Sequence, residues 1–112
     1  MNARIQTALW VAQRASAGVL ALCVAVHLAT VIYAVRAGLS ADEILTRTHG
    51  NVGWAAFYGL FVLAVAVHAP IGLRAIALEW LRWRGASRDV VLVVFSLTLL
   101  TMGLRAVAAV FA

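Results

Sequence analysis

Three long apolar stretches, separated by two short polar breaks, account for most of the chain. They run from about Leu9 to Val35, from Val52 to Leu81 and from Val90 to Phe111. A helix needs about 20 mostly apolar residues to cross the hydrocarbon core of a bilayer, and each stretch is long enough. The pattern predicts an all-α integral membrane protein with three transmembrane helices, and residues 1–112 are expected to form a single membrane domain.

The two breaks carry their own helix signals. Residues 36–51 contain Ser40-Ala-Asp-Glu43, a capping-box pattern that predicts a short helix at the membrane surface. In the shorter break, residues 82–89, Gly85 is predicted to stop the second span and Ser87 to cap the third.

Composition agrees with a lipid surrounding. Hydrophobic residues make up 65% of the 112 residues, charged residues 12%, and the mean hydropathy is +1.01. A soluble domain this small leaves too much of its surface exposed to hide so many apolar side chains. Cys23 is the only cysteine, so neither an internal disulfide nor a cysteine metal site is expected.

All nine basic residues are arginines, and they lie mainly near the ends of the spans. They therefore indicate topology and headgroup contacts, and no nucleic-acid partner is expected. Leaving aside Arg74 of the second span, five fall on the side of the N-terminus and the second break, against three on the other side. This bias predicts a cytoplasmic N-terminus. The five are Arg4, Arg14, Arg82, Arg84 and Arg88, and the three are Arg36, Arg47 and Arg105.

Two histidines lie inside the predicted spans, where an ionisable side chain is costly and is a candidate for function. His27 is midway along the first span and His68 is in the inner half of the second. Because these spans run antiparallel, we expect the two imidazoles at similar depth. Histidines on facing helices hold haem in many helix bundles. A helix–helix hydrogen bond from each histidine is the alternative, and the residues alone leave both open.

The surroundings of His68 add two features. Small residues share its helical face, which leaves room for a flat macrocycle or permits ordinary close helix packing. Pro70 removes a backbone donor from the carbonyl of Ala66, so a kink is expected beside the histidine. The small residues on the His68 face are Ala64, Gly72 and Ala75.

Two segments resemble the cytochrome b membrane subunit of succinate dehydrogenase and fumarate reductase. Gln13-Arg14-Ala-Ser16-Ala-Gly18 is similar to the family's His-Arg-x-Ser-Gly entry to the first span. His68-Ala-Pro-Ile-Gly72-Leu-Arg74, followed by Glu79, is similar to the family's His-x-x-x-Gly-x-Arg motif with a later acid. The chain departs from the family pattern at four positions, which are Gln13, Ala17, Ala75 and Glu79.

The resemblance implies a role for each matching residue. His68 would be an axial ligand of haem b, the iron complex of protoporphyrin IX, and Gly72 and Arg74 would lie beside the haem, with Arg74 near its propionates. Arg14 and Ser16 would border a quinone site and contribute to quinone reduction rather than to haem retention. The two-haem branch of the family also carries a histidine in its first span, which makes His27 a second candidate iron ligand.

The resemblance also implies partners. An iron–sulfur and a flavoprotein subunit would dock on the cytoplasmic face of a bacterial-type inner membrane, and electrons would pass between them and quinone. The chain has no glycine-rich dinucleotide loop and no set of four cysteines, so dicarboxylate chemistry belongs to another chain. Directly packed helices lie about 8–10 Å apart, too close for a haem between two imidazoles. A second membrane chain is therefore expected, either another copy of this one or a different anchor subunit.

Two alternatives without haem follow from the residues. A small proton-coupled transporter needs a carboxylate inside the membrane, whereas the four acids here lie near span ends. A structural small membrane protein would explain the hydrophobicity but not two histidines within spans. The four acids are Asp42, Glu43, Glu79 and Asp89.

Overall fold

The computed structural model describes residues 2–112, which form four α-helices and no strand. Three of the helices are long and apolar enough to cross a membrane, which confirms the predicted fold class. The helices are α1 (Ala3–Ala37), α2 (Ala41–Thr48), α3 (Val52–Leu81) and α4 (Ala86–Phe111).

Helix α1 begins earlier than the apolar pattern predicts. The side chain of Asn2 accepts a hydrogen bond from the backbone N–H of Ile5 at 2.9 Å, so it caps a helix that starts at Ala3. With 35 residues, α1 is about 52 Å long at 1.5 Å per residue, well beyond the roughly 30 Å of a bilayer core. Part of α1 therefore extends past the hydrocarbon region.

Helix α2 has the predicted capping box and is tied to the end of α4. Ser40 Oγ accepts from the backbone N–H of Glu43 at 3.2 Å, and the Glu43 carboxylate accepts from the backbone N–H of Ser40. Thr48 Oγ1 then donates to the carbonyl of Val110 at 2.9 Å. The last carbonyls of a helix lack helical partners, and this contact satisfies one of those of α4.

The turn between α3 and α4 differs from the prediction. Helix α3 ends at Leu81, and Arg82, not Gly85, takes the left-handed conformation after it, with φ 52°. Gly85, with φ 95°, precedes α4 instead. Ser87 lies inside α4 and accepts a hydrogen bond from Trp83 Nε1 at 3.0 Å. The chain reverses within four residues, and the glycine serves the start of the second helix instead of the end of the first.

Helix α3 is central and packs against both α1 and α4. Gly103 marks a tight approach of α4, because a Cβ atom added there would lie 2.6 Å from Val62 Cγ1. Many large apolar side chains remain exposed, including Trp80 and Leu22. The chain thus buries a small core of its own and presents most of its apolar surface outward.

Candidate functional site

His68 contacts Ser16 across the interface between α3 and α1. The Ser16 Oγ lies 3.4 Å from His68 Nδ1, and Ser16 is only 6% exposed. The same hydroxyl donates its proton to the backbone carbonyl of Gln13 at 3.1 Å. Because a hydroxyl has one proton, its oxygen is the acceptor toward the imidazole. With the hydroxyl proton used in this way, a neutral imidazole would donate from Nδ1 and keep its lone pair on Nε2.

Gly72 lies one turn beyond His68 and faces the same part of α1. A Cβ added to Gly72 would be 3.3 Å from Gln13 Nε2. The small residue at this position therefore permits close packing of α1 on α3, which is one of the two alternatives that the sequence left open. It does not leave an open space beside His68. The Gln13 Oε1 atom is buried and has no hydrogen-bond partner among residues 2–112.

Arg14 and Ser16 point in different directions. Residues two apart lie on opposite sides of a helix, and Ser16 faces α3. The Arg14 guanidinium is exposed and stacks 5.2 Å from the centre of the Trp10 ring. The two side chains therefore do not line one common site within this chain, and Ser16 belongs to the surroundings of His68.

Arg74 lies at the end of the bundle where α3 finishes and α4 begins. It lines a cavity of about 450 Å³ together with Arg84 and Arg88. Arg88 is 6% exposed, and its guanidinium is 2.9 Å from the Asp89 carboxylate. This end of the bundle is therefore rich in cationic groups, one of them deeply buried and paired.

His27 belongs to a different part of the molecule. Its Nδ1 is 3.3 Å from the Tyr58 hydroxyl, and its ring meets Phe61 edge-on with centroids 5.8 Å apart. It lines a mainly apolar cavity of about 640 Å³ whose opposite wall includes Met102 and Gly103 of α4. It also lines a second cavity, of about 470 Å³, beneath α2.

The expectation that His27 and His68 lie at similar depth is wrong. His68 is level with Ser16 and His27 is level with Tyr58. Ten residues of α3 separate Tyr58 from His68, which corresponds to about 15 Å along the helix. Counting residues from Arg14 to His27 and from His68 to Glu79 assumes that Arg14 and Glu79 lie at one level, whereas the depth depends on the register of α1 against α3. Two axial ligands must meet at one iron, so these histidines do not ligate the same haem within one chain.

Two contacting side chains were not predicted from the sequence. Tyr58 bonds to His27, and Ser96 of α4 donates to the backbone carbonyl of Ala66 at 2.7 Å. Pro70 indicates in the sequence that the Ala66 carbonyl needs another donor, because a proline leaves the carbonyl four residues earlier without its helical donor. Which residue of α4 reaches that carbonyl depends on helix register.

A family model described as the succinate dehydrogenase/fumarate reductase transmembrane subunit matches residues 1–105. The chain belongs to this family. The resemblance seen in the sequence is thereby confirmed, and the chain is a membrane-anchor subunit of a succinate dehydrogenase or fumarate reductase. Comparison with curated proteins and with solved structures gives no significant match.

Proposed function

We propose that this succinate dehydrogenase/fumarate reductase transmembrane subunit is a cytochrome b. It would bind haem b through His68 and carry electrons between an iron–sulfur partner subunit and quinone. One observation carries the proposal: the Ser16 hydroxyl contacts His68 Nδ1 while donating its own proton to Gln13. A histidine that ligates a metal typically donates its other ring N–H to a neighbouring acceptor.

The residues present fit a haem. His68 would hold the haem iron through its Nε2 lone pair. Arg74 lies toward the cationic end of the bundle, where it would neutralise a propionate, and Gly72 lets α1 approach closely enough for Ser16 to orient the imidazole. When bound, haem b supplies a one-electron carrier in the membrane.

Arg14 is proposed to contact quinone. Its guanidinium is exposed on α1, beside Trp10 and toward the arginine-rich end of the bundle. A guanidinium donates hydrogen bonds to an acceptor such as a quinone carbonyl. Since Arg14 faces away from α3, the quinone site would lie between α1 and a partner subunit. Ser16 would be connected to that site indirectly, through its contact with the haem ligand His68.

His27 is proposed as the ligand of a second haem. Its Nδ1 is held by the Tyr58 hydroxyl, as that of His68 is held by Ser16, and it lines the apolar cavity beside α4. Because His27 and His68 differ in depth by about 15 Å, each would take its opposite ligand from a second membrane chain. That chain is either another copy of this one or a different anchor subunit.

The proposed orientation follows from charge, and the proposed partners follow from the family. The bundle end formed by the start of α1, the end of α3 and the start of α4 carries most of the arginines. By the positive-inside rule this end, with the N-terminus, faces the cytoplasm of a bacterial-type inner membrane. The iron–sulfur and flavoprotein subunits would dock there, close to Arg14.

The haem assignment is tested with His68→Ala in the purified complex. We expect the low-spin haem b spectrum to be lost or grossly altered, because the iron loses an axial ligand. His49→Ala is the matched control, since His49 lies in the loop before α3 and should leave the spectrum unchanged. Subunit composition on a gel verifies assembly. An unaltered low-spin spectrum in the assembled His68→Ala complex would remove His68 as the ligand.

A further inference from the structure

Pro70 lies inside α3, which continues as a helix on both sides of it. A proline has no backbone N–H, so the carbonyl of Ala66 loses the donor that a helix normally provides. Ala66 is buried, at 7% exposure, within an apolar helix. An unpaired carbonyl is especially costly where water is excluded by lipid and protein.

Ser96 of α4 supplies the missing donor. Its hydroxyl donates to the Ala66 carbonyl at 2.7 Å across the helix interface. Thr98, two residues further along α4, shows the usual behaviour instead: its hydroxyl donates to Val94 of its own helix at 2.8 Å. Ser96 thus forms a cross-helix bond at the one carbonyl of α3 that its proline leaves without a helical donor.

The register of α4 brings Ser96 to this carbonyl. Gly103 lies two turns after Ser96 on the same face of α4, and it packs tightly against Val62, one turn before Ala66 in α3. The close contact at Gly103 and the hydrogen bond at Ser96 are therefore two points of one interface. Together they fix α4 against the segment of α3 that precedes Pro70.

His68 lies in α3 between Ala66, whose carbonyl accepts from Ser96, and Pro70. Ala66 faces α4 through its carbonyl, and His68 faces α1, where it meets Ser16. A proline in a helix interior crowds the carbonyl four residues earlier and bends the helix there. The direction of the imidazole consequently depends on how firmly the segment from Ala66 to Pro70 is held.

We propose that Ser96 is a positioning residue for His68. By replacing the donor that Pro70 removes, it holds the segment of α3 from Ala66 to Pro70 against α4 and sets the direction in which the imidazole presents Nε2. The part that concerns iron rests on the proposed haem ligation by His68. The replacement of the donor missing at Ala66 does not rest on haem ligation. The hydrogen bond and its effect on His68 are therefore tested separately.

The experiment uses the whole purified complex with Ser96→Ala, Ser96→Thr and the matched control Thr98→Ala. The readouts are the low-spin ferric haem signal in electron paramagnetic resonance and the temperature at which the complex unfolds. Ser96→Ala should shift and broaden the haem signal and lower the unfolding temperature. Ser96→Thr keeps a hydroxyl and should give the wild-type haem signal and unfolding temperature. Thr98→Ala should change neither readout.

Pro70→Ala provides the decisive comparison, because this substitution restores the backbone N–H that a helix directs to the Ala66 carbonyl. In that background, adding Ser96→Ala should produce a much smaller loss of unfolding temperature than it does beside Pro70. An equal loss in both backgrounds would overturn the link between Ser96 and Pro70. If Ser96→Ala alone prevents assembly, the double variant must recover it, and failure to do so overturns the proposal equally.

The haem signal tests whether Ser96 positions His68. A wild-type signal in Ser96→Ala, with the unfolding temperature lowered, would overturn the positioning role while leaving the hydrogen bond as a packing contact. Failure of the proposed function appears elsewhere, as a retained low-spin haem in His68→Ala. The unfolding comparison between the wild-type and Pro70→Ala backgrounds needs no haem and remains interpretable in that case.

Discussion

The hydrogen bonds of the Ser16 hydroxyl bear on which ring nitrogen of His68 is left free. Because the hydroxyl donates to the Gln13 carbonyl, its oxygen accepts from His68 Nδ1 and leaves Nε2 as the free lone pair. Residue chemistry alone would permit either ring nitrogen. The contact between α1 and α3 selects one of them.

Ser16→Ala should weaken haem binding. It removes the acceptor that orients the imidazole, and loss of such an outer partner typically costs roughly 10–100-fold in metal affinity. Haem content per complex, measured by pigment extraction, and the low-spin spectrum check this. Ser16→Thr retains a hydroxyl and serves as the control. Wild-type haem content in Ser16→Ala, even after dilution in detergent, would contradict the role.

Arg14→Leu should lower quinone turnover and leave haem in place. The guanidinium is exposed on α1 and separated from His68 by the width of the helix. The measurement compares succinate oxidation coupled to quinone with oxidation coupled to a soluble dye, which bypasses the quinone site. Arg4→Leu, an exposed arginine earlier in α1, is the matched control. Equal losses in both assays would point to failed assembly rather than to quinone binding.

At the scale of elements, α3 is the central helix and is held on both sides by small residues. Gly72 lets Gln13 of α1 approach closely, and Gly103 lets α4 pack onto Val62. Without these glycines the helices would separate, and the hydrogen bonds that link Ser16 and Ser96 to α3 would lengthen. The packing contacts and the polar contacts therefore depend on each other.

Gly103→Ala should destabilise the α3–α4 pair. The added Cβ would lie 2.6 Å from Val62 Cγ1, and a β-branched side chain in a helix has few other rotamers. Overpacking of this kind costs about 1–3 kcal/mol, seen as a lower unfolding temperature of the complex. Gly59→Ala is the control, because a Cβ there meets nothing within 4 Å in residues 2–112. Adding Val62→Ala should recover part of the loss; a Gly103→Ala complex as stable as wild type would contradict the prediction.

At the scale of the whole molecule, one chain supplies too few helices to surround the proposed haem. Its three spanning helices form a bundle with α3 in the middle, and large apolar side chains are exposed along all of them. His27 and His68 lie at different depths, so neither supplies the second ligand for the other. The missing helices and ligands are expected from a second membrane chain.

Haem-to-chain stoichiometry tests this expectation. Two copies with paired histidines should hold two haems per pair, and His27→Ala should then remove one of them. If the partner is instead a different anchor subunit that pairs only with His68, His27 is idle and His27→Ala should remove no haem. Pigment extraction combined with the mass of the detergent-solubilised complex gives the ratio. A lone chain, monomeric by mass and holding one six-coordinate haem, would contradict the need for a second chain.

The sequence by itself determined the elements. Three apolar stretches longer than a bilayer core had to become helices, because only a helix satisfies its own backbone groups in lipid. The surface helix α2 followed from Ser40 and Glu43, whose hydrogen bonds span three residues. The motif around His68 also indicates the family without reference to any tertiary contact. Each of these conclusions rests on hydropathy or on residues a few positions apart.

Only the tertiary structure decided which residues meet. The depths of His27 and His68, the contact between Ser16 and His68, and the use of Ser96 at Ala66 all depend on helix register. Helices of uniform hydropathy can slide past one another without changing the apolar pattern, so that pattern carries no register. In this chain the register is set where side chains interlock at Gly72 and Gly103, and such close packing appears only when the helices are brought together.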